Sequence, residues 1–312
     1  MNKYKKAIVF TGLTYVISFV FISLFFMSGG QWGSASSIGV AMLYMAIPMI
    51  VAVFLQKLVY KEPVVKTLGI SFKLNRWFLV AWLLTPVIIV LTIGVSLLVP
   101  GVYYDPSMEG MFAQYESTMS QDQLEVMREQ IAALPIHYFW IGIIQGLIAG
   151  ITINAIVAFG EEAGWRGFLQ RELADMGFWK SSFVIGIVWG FWHAPLILQG
   201  HNYPNYPVIG VFMMVIFTLL WSPIFSYIRL KARSVIAASV LHGTINASLI
   251  LSFIMVSGGH ELLIGALGLA GFIVLAMVNV AIYIYEKRFT NEPIDTSAYF
   301  ANEEQKTQPQ NS

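Results

Sequence analysis

Eight stretches of this chain are apolar for about twenty residues at a time, and short polar segments separate them. They run over approximately 7–27, 37–55, 77–99, 138–160, 181–199, 208–228, 235–256 and 262–285. Because a helix rises 1.5 Å per residue, ~20 residues cross the ~30 Å of bilayer hydrocarbon. The pattern predicts an all-α, polytopic membrane protein with eight transmembrane helices. Lys and Arg then set the orientation, because they gather on the cytoplasmic side. Lys3, Lys5 and Lys6 precede the first run, and Lys57, Lys61, Lys66, Lys73 and Arg76 follow the second. Arg229, Lys231 and Arg233 follow the sixth run, and Lys287 and Arg288 the eighth. The 100–137 segment instead holds Asp105, Glu109, Glu116, Asp122, Glu125 and Glu129 against Arg128. Both termini are therefore expected in the cytoplasm.

Composition strengthens this reading. Hydrophobic residues make up 57% of the 312 and charged residues 11%, with a mean hydropathy of +0.70; soluble domains carry roughly a quarter charged residues. The net charge is +1 with no basic stripe, so the expected partner is the lipid bilayer and no nucleic acid. With no cysteine, disulfides, thiolate chemistry and Cys-ligated zinc are excluded. The first run is longer than a signal-peptide core and lacks a small-residue cleavage site, so it is read as a retained first helix.

Residues 1–288 are expected to form one transmembrane bundle. Residues 289–312 (EPIDTSAYFANEEQKTQPQNS from 292 onward) are expected to be a polar, disordered cytoplasmic tail. Within 100–137, Leu124, Met127, Ile131 and Leu134 share a helical face that predicts an amphipathic segment on the outer membrane surface. Segment 167–180 reads as a short amphipathic connector on the inner side. Gly146 with Gly150, and Gly265 with Gly268 and Gly271, suit close helix packing in lipid.

Of the 17 acidic residues, all but Glu161 and Glu162 fall in loops, the connector or the tail. These two end the fourth run in AFGEEAGWRGFL. An ionisable side chain in hydrocarbon costs ~2.5–3.5 kcal/mol on insertion scales, so its retention points to a role. Glu162 and Arg166 are i and i+4 with the Glu N-terminal, the favourable order for an ion pair. Glu161 points about 100° away, which leaves Arg166 neutralising Glu162 and Glu161 available. His193 and His242 lie inside later runs, and Asn246 sits one turn beyond His242. Pro195 should bend the fifth helix beside His193 and free a carbonyl there. His137, His201 and His260 fall in loops and receive no role.

One carboxylate, two imidazoles and an amide suit amide hydrolysis: the carboxylate takes a proton from water, and imidazole and amide donors hold a tetrahedral oxyanion. No intramembrane Asp pair, G-x-S-x-G or H-E-x-x-H offers an alternative. At these residues the sequence resembles the CPBP family of membrane proteases, which includes the CAAX prenyl endopeptidases and the bacteriocin-processing and bacteriocin-immunity proteins. The family pattern EExxxR, FxxxH, HxxxN is met by Glu161, Glu162 and Arg166, by Trp189 and His193, and by His242 and Asn246, within a core of about 138–256. Trp189 stands where the family usually has Phe. The aromatic residues around it, Phe191 and Trp192 included, read as packing.

The resemblance implies a CAAX-endopeptidase-like helical bundle with a conical cavity open to the cytoplasm. It implies Glu161 and His193 activating water, His242 and Asn246 holding the oxyanion, and Glu162 and Arg166 in support. The family has also been described as metalloproteases; two His and a carboxylate are a respectable zinc set, which would make Glu161, His193 and His242 the ligands. Glutamate- and metal-dependent endopeptidase both stay open at this point. The expected substrate is a hydrophobic peptide or protein entering from the membrane or the cytoplasm, and the expected location is a bacterial cell membrane. The rival readings are a catalytically silent scaffold or immunity protein, and a proton-coupled transporter, which would call for inverted repeats that are absent here.

Depth poses a difficulty. His193 would lie ~18 Å along a fifth helix begun at Ser181, and His242 ~11 Å along the seventh, while Glu161 sits at the inner end of the fourth. The groups can meet only if 161–172 continues as a partly buried helix. Glu161 more than about 10 Å from both histidines would rule the chemistry out.

Overall fold

A backbone in hydrocarbon satisfies its N–H and C=O groups only within helices or a closed barrel, and this chain follows the first course. The computed structural model describes residues 3–115, 120–291 and 293–305. Its principal helices are α1 (Lys5–Met27), α2 (Ala35–Phe54), α3 (Arg76–Ser96), α4 (Gln121–Ala132), α5 (Tyr138–Ile151) and α6 (Ile153–Glu162). After them come α7 (Phe178–Trp192), α8 (Pro207–Ala232), α9 (Val235–Ser248), α10 (Leu269–Arg288) and α11 (Thr296–Gln305). The strand pairing among the described residues is one antiparallel bridge, Tyr103–Tyr104 against Val256–Ser257. The protein is thus a polytopic helical membrane protein.

Six helical segments are long and apolar enough to cross a bilayer, with a seventh if the fourth run counts as one span. That run is not straight as expected: it breaks at Thr152 and bends by 54°. Thr152 Oγ1 bonds back to Ile148 O at 2.7 Å, a contact that competes with the helical ladder and bends it. The fifth run is also broken. α7 has 15 residues and stops at Trp192, and a short helix Ala194–Ile197 follows it, as the Pro195 argument requires.

Beyond α6 the chain continues as a π-helix, Ala163–Leu169, and a last α-turn, Gln170–Glu172. Every residue from Gly160 to Arg171 is buried. The expected helical continuation is present and goes deeper than partial burial, so the first half of the 167–180 segment is core rather than a surface connector. α9 is the most enclosed of the crossing segments; it packs on α5, α6 and α3 through small residues. A Cβ at Gly243 would lie 2.6 Å from Ala155 N, so glycine is what allows α9 to touch the bent pair. Gly146 and Gly150 face Ser248 and Thr244 in the same seam.

Loops gather at two faces. One face joins Lys3 to Asp175 (3.0 Å), Lys6 and Arg171 to Glu62 (2.5 and 2.7 Å), and Gly69 O to Val235 N (3.0 Å). The opposite face joins the Tyr103 bridge, Asn205 with Glu261 (2.9 Å), and Trp32 with His201 (ring centroids 5.0 Å). α4 lies on that second face, but Leu124, Met127 and Ile131 cover Met108, Phe112, Ile143 and Leu251. Its apolar side rests on the bundle instead of being given to lipid. The tail also differs from expectation: α11 docks by Thr296 Oγ1 on Ala174 O (2.7 Å) and buries Phe300 against Ala174, Phe178, Tyr227 and Leu230. An isolated polar segment has no reason to fold, and these contacts supply the apolar burial its composition lacks. Residues 306–312 of the expected tail, and Glu116 of the acidic loop, lie outside the described residues.

Candidate active site

The site assembles where the buried end of α6 meets α7, α8 and α9. Glu161 is 2% exposed and Glu162 fully buried, so both carboxylates depend on protein donors. Helical spacing separates their surroundings. Glu161 Oε2 accepts the indole N–H of Trp189 at 2.6 Å and, more weakly, that of Trp165 at 3.3 Å. No donor among the described residues bonds Oε1. Glu162 Oε1 accepts Arg166 Nη1 at 3.1 Å and His242 Nδ1 at 2.8 Å. Arg166 is itself clamped, with its guanidinium 4.5 Å from the Trp189 ring centre and 4.4 Å from that of Phe225. Cation–π attraction to the two rings helps hold a charge that burial would otherwise oppose.

Each imidazole is oriented through Nδ1. His193 ends α7, and its backbone N–H turns to Gly190 O, three residues back, at 3.1 Å. The ring's Nδ1 lies 2.8 Å from Trp189 O. A carbonyl can only accept, so Nδ1 carries the proton and Nε2 presents its lone pair. The Pro195 argument pointed to a free carbonyl near Phe191, but Phe191 O is bonded; the carbonyl beside the imidazole is Trp189 O, released because the His193 N–H bonds Gly190 O instead. His242 Nδ1 likewise donates to a carboxylate and leaves Nε2 outward. Both rings pack on Trp189, with centroids 5.9 Å (His193) and 5.4 Å (His242) from it. The indole bonded to Glu161 therefore touches both histidines, and the depth difficulty is resolved by the buried course of 160–171.

The structure brings Glu161, Glu162, Arg166, His193 and His242 into one cluster. Asn246 stands one turn beyond His242 on α9 and, alone of the six, is exposed. His137 bonds Pro106 O, His260 bonds the Tyr206 hydroxyl and His201 packs edge-on against Trp32, so none of the three joins the cluster's hydrogen bonds. Sequence reasoning missed Trp165, Trp189 and Phe225 as members. A signal existed for two of them: Trp165 is four residues after Glu161, and Trp189 four before His193.

A metal ion would need the expected set Glu161, His193 and His242 to converge. Among the described residues no three His, Asp or Glu side chains are placed to hold one. This arrangement does not fit a three-ligand site, and no step below passes through a metal.

Comparison with known proteins finds a likeness over this part of the chain. Residues 143–248 match the family described as "Type II CAAX prenyl endopeptidase Rce1-like". A stretch of 98 residues is 34% identical to the CAAX prenyl protease 2 of Methanococcus maripaludis. It covers 29% of this chain and 36% of that protein, so the likeness is confined to a core. Residues 143–248 contain every residue of the cluster, and over them the chain is similar to the Rce1-like CAAX prenyl endopeptidases.

Proposed function

We propose that the protein is an intramembrane endopeptidase that hydrolyses a peptide bond of a membrane-associated or hydrophobic substrate. The observation that carries this reading is a buried carboxylate with one oxygen held by indole N–H groups and the other unbonded, beside two imidazoles of fixed tautomer. In the proposed reaction Glu161 Oε1 takes a proton from a water molecule that also donates to His193 Nε2. The water oxygen attacks the scissile carbonyl carbon, and the carbonyl oxygen becomes an oxyanion. The Asn246 amide and His242 Nε2–H, when that ring is doubly protonated, donate to it. Glu162 supplies the counter-charge such a ring needs. Collapse of the intermediate breaks the C–N bond, and the proton held by Glu161 passes to the leaving amine.

The CAAX substrate named for the relative is one candidate class here; an unprenylated hydrophobic peptide is the other. The purified protein is to be offered a fluorogenic prenylated CAAX peptide and a fluorogenic hydrophobic peptide without the lipid. Cleavage of either, abolished by Glu161→Ala, is the expected outcome. Cleavage of neither, or a Glu161→Ala variant that cleaves as wild type, would return the protein to the scaffold reading.

The proposed topology is eight crossings with both termini cytoplasmic. Its support is the two loop faces: Asp175 joins the first and Asn205 the second, so the short fifth run travels from one to the other.

A further inference from the structure

We infer that Trp189 is the positioning residue of the site: its indole selects which oxygen of Glu161 is the base, and its carbonyl aligns His193 beside that oxygen. The inference rests on the reading of Glu161 as the base and adds the residue that aims it.

A glutamate side chain has three rotatable bonds, and a buried carboxylate with no cation beside it has little to fix them. Glu161 forms no ion pair among the described residues, whereas its neighbour Glu162 meets Arg166. What holds Glu161 is hydrogen bonding to Oε2, and the Trp189 bond at 2.6 Å is the short one. Bonds to an ionised acceptor are roughly twice as strong as neutral ones. An indole N–H is a donor only. It can neither deliver nor remove a proton under reaction conditions, so Oε2 is occupied and proton traffic is left to Oε1.

The indole is itself immobile. Arg166 lies against one face, Phe225 meets it edge-on with centroids 5.5 Å apart, and His242 packs at 5.4 Å. Trp189 is 3% exposed. The same residue's carbonyl takes the Nδ1 proton of His193, so one rigid residue sets where the carboxylate and the imidazole stand relative to each other. Misplacement by about 1 Å at such a site can cost ~100-fold in rate. A phenylalanine here would fill most of the same space but could not donate.

The test is steady-state kinetics of Trp189→Phe on whichever fluorogenic peptide the wild type cleaves, with Glu161→Ala and Trp165→Phe alongside. Trp189→Phe is expected to lower kcat by about 10- to 100-fold, the worth of one hydrogen bond to a charged group. KM should stay within about twofold and the melting temperature in detergent should be little changed. Trp165→Phe, which removes the 3.3 Å bond, should lose less. Wild-type kcat in Trp189→Phe, with Glu161→Ala inactive, would overturn the inference and leave the base reading standing. A loss confined to KM, or matched by lost thermal stability, would overturn it too. If the Phe variant does not fold, benzothienylalanine at position 189, an isostere without the N–H, decides by the same criteria. A wild type that cleaves neither peptide would overturn the base reading and this inference together.

Discussion

Glu162 illustrates how one residue can be half legible in a sequence. Its spacing to Arg166 announced an ion pair, and that pair is present at 3.1 Å. The spacing could not reveal His242, 80 residues later, which shares the same oxygen at 2.8 Å. Removing the charge would therefore do two things at once. Glu162→Gln deprives Arg166 of the carboxylate it pairs with directly, and breaking a buried pair costs about 3–5 kcal/mol. It also leaves His242 with only an amide oxygen as its acceptor, without the negative charge that supports a doubly protonated ring. The expected result is a clearly lower melting temperature in detergent together with loss of peptide cleavage. A Glu162→Gln variant of normal stability would show that the two aromatic faces alone suffice to hold Arg166.

Among the elements, the loop between α3 and α4 is tied by a carboxylate as well as by the apolar packing of Met108 and Phe112. Asp105 accepts Ser107 N at 3.1 Å, Ser107 Oγ and Ser257 Oγ at 2.5 Å, and Gly110 N at 3.3 Å. Burial would raise its pKa, but the Ser107 and Ser257 hydroxyls and the Gly110 and Glu109 backbone N–H groups outweigh it and hold the carboxyl below its ordinary 3.8. A group whose folded pKa is depressed stabilises above its unfolded pKa, and that stability is lost as the pH falls through the folded value. The loop should thus be firm at neutral pH and open only as the pH falls below 3.8 and through that depressed value. Asp105→Asn should open it at neutral pH, since an amide N–H₂ then faces a donor. Hydrogen exchange over 101–110 measures both; unchanged protection in the variant would show that the Tyr103 bridge holds the loop unaided.

Across the whole molecule, the positive-inside pattern and the two faces of loop contacts come from independent physics, charge in one case and chain packing in the other. Absence of cysteine makes the proposed topology directly testable, because any introduced thiol is the chain's own single label site. Gln123→Cys and Asn205→Cys should react with an impermeant maleimide in intact cells, and Lys66→Cys only after permeabilisation. All three native side chains are exposed. Labelling of Asn205→Cys only from the inside would remove the fifth crossing.

The sequence by itself determined that the chain is a helical membrane protein and pointed to the polar groups that would cluster. Both readings follow from local physics: the cost of exposing polar backbone in lipid, and the cost of retaining charge there. The i, i+4 pairs were legible for the same reason, since helical geometry sets them without reference to the fold. Only the tertiary structure decided that 160–171 runs through the core, that the fourth run bends at Thr152, and that α11 is an ordered helix. Each depends on partners far away in sequence, which no local period encodes. The tertiary structure also moved Trp189 from packing to the centre of the cluster. An aromatic residue at helical spacing reads as core until a buried carboxylate is found within reach of its N–H.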